Sequence, residues 1–513
     1  MQKGELRRFL QNTLVLSATA ILMRSVSLSF NLYLKEKLGA EGVGLFSLVM
    51  NLFSFAITLA TGGVSLLTTR LVSEALGQNK PGEAKEAFAK CRRYALFFGA
   101  LACLLLFSLA DVLGKRVLGD SRTVPSLQAL AVSLPFLALS SSFSGYFTAT
   151  RRVSKSAAVQ LGEQFCRIVL SVGAITYFAP KNLTSLCLFV VLGGVIADIL
   201  SCLASALLAC FDLRRHIPQK RAVLPKDYNK KLLGIALPVA LSSYFRSALV
   251  TIEHLFIPKG LVRFGLSQSE ALAAFGVLEA MALPIVLFPY ALLTPFCSLL
   301  VPEVARQTAT EDKVALSESA TSALRFTAAF GIGTAAVLLT LSGAIGEVLC
   351  HSKEAGVLVA TLAPLVPIMY SDTAVDSVLK GANEQLFTMR VNLFDSLLGV
   401  ALAFITVPRF GLYGYVFNIM FCEIVNFSFS ATRLYRVAPP SLSLGRAVLY
   451  PIVAAVLASR LLTLFLPFYP PDTKFSLFFA IFVFFIFYIA ILFLPRTPLR
   501  RIFSRNKKTV ALM

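Results

Sequence analysis

Two arginines stand where a lipid-facing helix would carry no charge. Arg24 lies inside the apolar run that starts near residue 9, and Arg246 inside another that starts near residue 232. A guanidinium at mid-bilayer costs about 2.5–3.5 kcal/mol on insertion scales, so such a residue faces protein, water or a partner. Each sits roughly 15 residues, or about 22 Å at 1.5 Å per residue, into its run. Arg keeps its charge and its planar fork matches phosphate oxygens bidentately, so two of them in one site suit a diphosphate. The competing reading is that each pairs with a nearby carboxylate and only fastens helices together.

The acids within apolar runs offer a second chemistry. Glu253 follows Arg246 by seven residues, two turns along the same helical face, and is either its counter-ion or a site for a coupling cation or proton. Glu279 and, more weakly, Asp198 are candidates of the same kind. Glu163 and Arg167 stand four apart with the acid first, the order that favours an intrahelical pair. Asp372 and Asp376 repeat that spacing; Asp376 can pair with Lys380, and Asp395 can serve either aspartate.

Covalent chemistry has little to stand on. The sequence holds no GxxxxGK[ST], no HExxH and no grouping of nucleophile, base and orienter, so neither catalysis nor a cofactor is expected. His216, His254 and His351 are scattered, and the nine cysteines never form CxxC, which points away from a metal centre and from a disulfide framework.

The elements that must position these residues are membrane helices. Of 513 residues 57% are hydrophobic and 15% charged, with a mean hydropathy of +0.76, far from the roughly 25% charged composition of soluble domains. Apolar runs long enough to cross a bilayer recur along the chain. They predict an all-α polytopic protein with fourteen spans, near 9–33, 44–69, 94–112, 125–149, 157–179, 184–210, 232–257, 271–299, 323–348, 358–379, 388–407, 412–434, 446–466 and 474–495. The basic amino terminus is expected to lead into a retained helix rather than a signal peptide, because its apolar run is long and no small-residue cleavage motif follows.

Charge sets the orientation. With both termini on one side, that side holds 33 of the 48 Lys and Arg residues and the other holds 11. The excess predicts cytoplasmic termini. The net charge of +21 therefore reads as topology signal and anionic-lipid contact, with no nucleic-acid partner. Gly62 and Gly63 in the second span, and Pro284, Pro289 and Pro295 in the eighth, are expected to break or hinge their helices.

The chain also repeats itself. Pro135, Gln160 and Glu163 fall on Pro367, Asn392 and Asp395 at an offset of 232, and SLLTTRLVSEA from Ser65 parallels SLLVPEVARQ from Ser298. Gly44 meets Gly276, and at an offset of 222 MRSVSLSFNLYL meets FRSALVTIEHLF, which sets Arg24 on Arg246. Glu253 meets the neutral Asn31, so the acid belongs to one repeat. Two six-helix lobes, 1–225 and 226–440, are expected to be related by an axis along the membrane normal, with residues 441–513 holding two further helices and a basic tail.

YLKEKLGAEGVGLFSLVMNLFSFAITLATGGVSLLTTRLVSEALGQNKPGEAKEAF and GYFTATRRVSKSAAVQLGEQFCRI resemble the stage V sporulation protein B group of polysaccharide exporters. That group is part of the multidrug/oligosaccharidyl-lipid/polysaccharide (MOP) exporter superfamily, which includes the lipid II flippases. The resemblance implies a V of two pseudo-symmetric lobes, alternating access, and an undecaprenyl-diphosphate-linked saccharide as substrate. It also implies a cationic cavity lined by Arg24 and Arg246, and a groove for the lipid tail at residues 446–495. Drug exporters of the superfamily typically stop at twelve helices and carry an acid on the first; fourteen spans and Arg24 favour the lipid-linked cargo. A cation-coupled multidrug exporter using Glu253 or Glu279, driven by a coupling cation or the membrane potential, is the alternative. A membrane glycan polymerase or ligase would want a long outer loop bearing a base, and the outer loops are short.

Overall fold

A computed structural model of the chain describes residues 3–78, 80–150, 152–178, 182–216, 228–443 and 445–493. The basic stretch 217–227 and the tail 494–513 lie outside the described residues. Among the described residues there is no strand, and the described part of each expected span is mainly helical.

In chain order the α-helices are α1 (Lys3–Thr61), α2 (Val64–Gly77), α3 (Pro81–Val112), α4 (Val124–Ala149), α5 (Val153–Phe178), α6 (Leu183–His216), α7 (Tyr228–Phe264) and α8 (Gln268–Gly276). They continue with α9 (Leu283–Val286), α10 (Leu293–Ala309), α11 (Lys313–Ala344), α12 (Lys353–Leu362), α13 (Val366–Gly381), α14 (Gln385–Val437), α15 (Tyr450–Phe465) and α16 (Lys474–Phe493). Ten stretches among the described residues are long and apolar enough to cross a bilayer. Gln385–Val437 contains two expected spans, and Leu22–Leu76 contains the second and the end of the first. α5, with Glu163 and Arg167, and α7, with Arg246 and Glu253, are helical but are not among the ten.

Glycine explains the joins. α1 turns at Gly39 (φ 72°) and α14 at Gly411 (φ 60°), a left-handed backbone that costs an L-residue with a Cβ energy and glycine almost none. Gly62 and Gly63 separate α1 from α2, as their pairing in sequence suggests. The eighth span is broken into α8, a π-helical segment Val277–Ala282, α9, a 3-10 turn Pro289–Leu292 and α10. Pro284 and Pro289 sit at the starts of two of these pieces, where a missing N–H does no harm.

By their contacts the residues fall into two compact units, Ser25–Ala280 with Asn392–Asn418, and Met1–Arg24 with Met281–Val391 and Ile419–Met513. Each has a core built by close helix approach. In the first, Gly99 brings α3 against α4: a Cβ there would lie 2.8 Å from Pro135 Cα. In the second, Gly331 brings α11 against α13 in the same way, 2.7 Å from Pro367 Cα. Both pairs are spaced by the repeat offset of 232. Lipid tails are as apolar as leucine, so small residues that let backbones approach carry membrane packing.

The larger buried clusters repeat at the same offset. Val72, Ala84, Phe88, Phe143, Tyr146, Phe147 and Cys202 form one, and Val304, Leu316, Ala320, Val375, Val378, Leu379 and Leu434 form the other. Seven positions thus stay buried across the repeat, and at six of them the residue type changes. In the second unit α15 and α16 pack on α11, where Tyr488 Oη donates to Ala329 O at 2.7 Å and Thr340 bonds Ser459 at 3.0 Å.

Candidate functional site

α7 carries most of the candidate chemistry. Glu253 accepts a hydrogen bond from Asn418 Nδ2 at 2.9 Å, and the same amide donates to Gly399 O at 3.0 Å. Gly399 leaves the room for this: a Cβ there would stand 3.0 Å from Glu253 Oε2. Asp395 and Glu279 lie within electrostatic reach of Glu253, and Asp395 also within reach of Arg246. The π-helical turn after α8 presents Glu279, whose Oε1 is 3.9 Å from His254 Nδ1. Three atoms here, His254 Nδ1, Glu279 Oε2 and Asp395 Oδ1, are buried with no hydrogen-bond partner.

Two of these carboxylates, Glu279 and Asp395, keep a buried oxygen without a donor, which is costly unless a proton or another donor reaches it. Among the described residues Arg246 makes no ion pair; Glu253 is held by Asn418 instead. Arg246 is thus within reach of Asp395, and Glu253 within reach of Asp395 and Glu279.

Arg24 lies in the other unit, half-buried on α1, within electrostatic reach of the Tyr370 hydroxyl and with no ion pair among the described residues. Tyr370 itself donates to Val286 O at 3.0 Å. Asp198 is elsewhere, tied to Arg167 Nη2 at 2.6 Å; that arginine also meets Glu163 Oε1 at 2.9 Å, and Ser201 donates to Glu163 Oε2 at 2.7 Å. This is a fastening between α5 and α6. Asp376 and Lys380 pair at 3.2 Å.

Gly44 and Gly276, matched in the repeat, meet directly. A Cβ on Gly44 would lie 1.9 Å from Leu272 O, and one on Gly276 would lie 2.7 Å from Gly44 N. Beside this crossing Arg122 Nη2 donates to Asp120 Oδ2 at 2.6 Å and Glu41 Oε1 at 2.9 Å, while Ser269 Oγ donates to Glu41 Oε2 at 2.7 Å. Burial pushes the Asp120 carboxyl up, but the hydrogen bonds from the Arg122 side chain and backbone outweigh it and hold the group below the usual carboxylate range. α1 and α8 are thus latched at this end.

Sequence reasoning missed Asn418, His254 and the Arg122 latch. Asn418 reaches Glu253 only because α14 folds back at Gly411, and nothing local in the sequence announces that. The latch had one legible part, the capping box of Ser267 and Glu270 that starts α8.

The fold and these helices define the class: a multi-pass membrane protein with the fold of MOP-superfamily transporters. The chain is similar in structure to the lipid II flippase MurJ in an inward closed conformation, with a TM-score of 0.72 and 13% identity, over 93% of this chain and 98% of that one. It is also similar to an inward-facing multidrug resistance MATE family transporter, with a TM-score of 0.65 and 15% identity, over 83% and 99%. Residues 9–263 match the polysaccharide biosynthesis protein family. Stage V sporulation protein B of Bacillus subtilis (strain 168) is 23% identical over 445 residues, 85% of each chain. Sporulation protein YkvU of the same organism is 19% identical over 364 residues, 70% of this chain and 79% of that one.

Proposed function

We propose that this protein moves an undecaprenyl-diphosphate-linked saccharide, a peptidoglycan or polysaccharide precursor, from the inner to the outer leaflet of a bacterial cell (inner) membrane by alternating access. Both termini are cytoplasmic, and the work is transport without covalent chemistry. Lobes 1–225 and 226–440 rearrange, and helices α15 and α16 accommodate the lipid tail. The observation that carries this reading is the reach of the flippase likeness, 93% of the chain against 83% for the multidrug transporter, beside the match of residues 9–263 to a polysaccharide biosynthesis family.

Arg24 and Arg246 hold the diphosphate. Neither has an ion pair among the described residues, which supports a role toward an anionic cargo. Glu253 and Glu279 take up the coupling cation or proton, whereas the bonds of Asp198 to Arg167 favour a fastening role for that acid. The same acidic group favours the second reading, a cation-coupled multidrug exporter.

The test is rescue of cells depleted of their lipid II flippase, with expression verified by immunoblot. Wild type is expected to rescue, and Arg24→Ala and Arg246→Ala to lose rescue. Rescue by both variants would remove the arginines from the site; a wild type that expresses without rescuing would turn the cargo away from lipid II.

A further inference from the structure

At one end of α3 and α6 there is a cavity of about 270 Å³ lined by Lys85, Phe88, Arg92, Phe143, Leu213 and Arg214. Lys85 and Arg92 come from the first four turns of α3 and Arg214 from the last turn of α6, so three cations converge on one opening. Among the described residues none of the three makes an ion pair; Arg92 lies over the Phe88 ring at 5.0 Å. Asp212, two residues before Arg214, is already held by Arg152, Lys155 and Tyr146.

The internal repeat supplies a comparison for this place. At the offset of 232, Lys85 corresponds to Ser317, Phe88 to Ala320 and Arg92 to Leu324. There the chain fills the notch itself: α14 ends at Val437 and the following residues turn back over α11. Ser317 Oγ donates to Pro439 O at 2.5 Å, Ser441 N donates to Thr321 Oγ1 at 2.9 Å, and Leu442 packs on the buried cluster. In the first repeat α6 runs straight on to His216, cations line the notch, and no described residue fills it.

Charge alone would suit any anion, but the walls narrow the choice. Phe88, Phe143 and Leu213 make the back apolar, and exposed side chains lead away from the opening along both helices: Leu96 and Phe97 on α3, Leu207 and Phe211 on α6. A cationic mouth at the membrane interface, backed by an apolar floor and flanked by lipid-facing side chains, fits a phosphate headgroup that carries acyl chains. We propose that Lys85, Arg92 and Arg214 form a binding site for the phosphate of an anionic membrane lipid, which occupies in the first repeat the place that residues 438–442 fill in the second. It goes beyond the transport reading and does not depend on the cargo.

The experiment uses the full chain in nanodiscs and reads lipid retention, not transport. With phosphatidylglycerol present, native mass spectrometry is expected to show a retained phosphatidylglycerol that phosphatidylcholine does not replace. Each interfacial cation is worth about fivefold in affinity, so Lys85→Ala, Arg92→Ala and Arg214→Ala together are expected to weaken retention roughly a hundredfold. Arg93→Ala, on the same helix but outside the cavity, is expected to leave it unchanged. Ala206→Phe keeps all three charges, fills the cavity and is expected to expel the lipid, which guards against misfolding of the triple variant. In the wild type, the Cys210 thiol that lines the cavity is expected to alkylate more slowly in phosphatidylglycerol than in phosphatidylcholine. Wild-type retention by the triple variant, an equal loss in Arg93→Ala, or an unchanged Cys210 rate would overturn the proposal. Protection of Cys210 by millimolar inorganic phosphate in phosphatidylcholine would overturn the lipid and leave a soluble phosphate as occupant.

Discussion

Gly44→Ala puts one methyl group where helix backbones touch. Its Cβ would stand 1.9 Å from Leu272 O, while ordinary contact begins at 3.4 Å, so α1 and α8 must part there by about 1.5 Å. Neither contacting atom is the end of a flexible side chain, so local repacking offers no relief. Overpacking of this kind costs about 1–3 kcal/mol, which is roughly a 5- to 150-fold shift away from the latched arrangement. The adjacent latch supplies the readout, since Ser269 and Glu41 touch at 2.7 Å. In a background with the nine cysteines replaced, Glu41→Cys and Ser269→Cys are bridged by a short bis-maleimide, and Gly44→Ala is expected to slow bridging at least fivefold. Gly162→Ala is the control: nothing lies within 4 Å of its Cβ, so only helix propensity changes, a gain of about 0.5–1 kcal/mol. Bridging at the parental rate in Gly44→Ala would refute the claim that the glycine crossing holds this end together.

Asp198→Asn removes one partner of a buried pair while Arg167 keeps Glu163, and a loss of about 3 kcal/mol is expected, seen as a lower melting temperature in detergent. Asn418→Leu strips Glu253 of its donor at a cost of about 1–3 kcal/mol; if Glu253 takes up the coupling ion, the cation or pH dependence of transport in proteoliposomes shifts with it, and an unchanged profile disconnects the two. Asp120 has a folded pKa below its unfolded value of about 3.9, so its contribution is present above that pH and is lost as the pH falls through the folded value. Wild type is therefore expected to lose thermal stability on acidification below about pH 4, and Asp120→Asn to show a flatter profile there.

Much of the architecture was legible in the sequence because membrane folding imposes one-dimensional rules. Backbone polar groups must be satisfied within the helix in lipid, so long apolar runs had to be helices, and their placement from α1 to α16 follows. The offset of 232 was visible in Pro135 and Pro367, and the structure extends it to Gly99 and Gly331, which meet those prolines. The breaks at Gly62, Gly63, Pro284 and Pro289 were also local, since a missing Cβ or N–H acts within one turn.

The candidate site was only half legible. Arg246, Glu253 and Glu279 stood out because a charge inside an apolar run is costly wherever it lies. Which carboxylate met which cation was not written there. Only the turn at Gly411 brought Asn418 to Glu253, and only the packing of α14 near α7 set Asp395 within reach of Glu253 and Arg246. Glu163 and Arg167 were readable at four residues' spacing, but Asp198 joined them across 31 residues through helix packing. The sequence by itself determined that the chain spans a membrane, where its helices bend and that it repeats, because those follow from local backbone energetics and periodicity. Tertiary structure alone decided which charges share a partner and which notch residues 438–442 fill, because both depend on contacts between residues far apart in the chain.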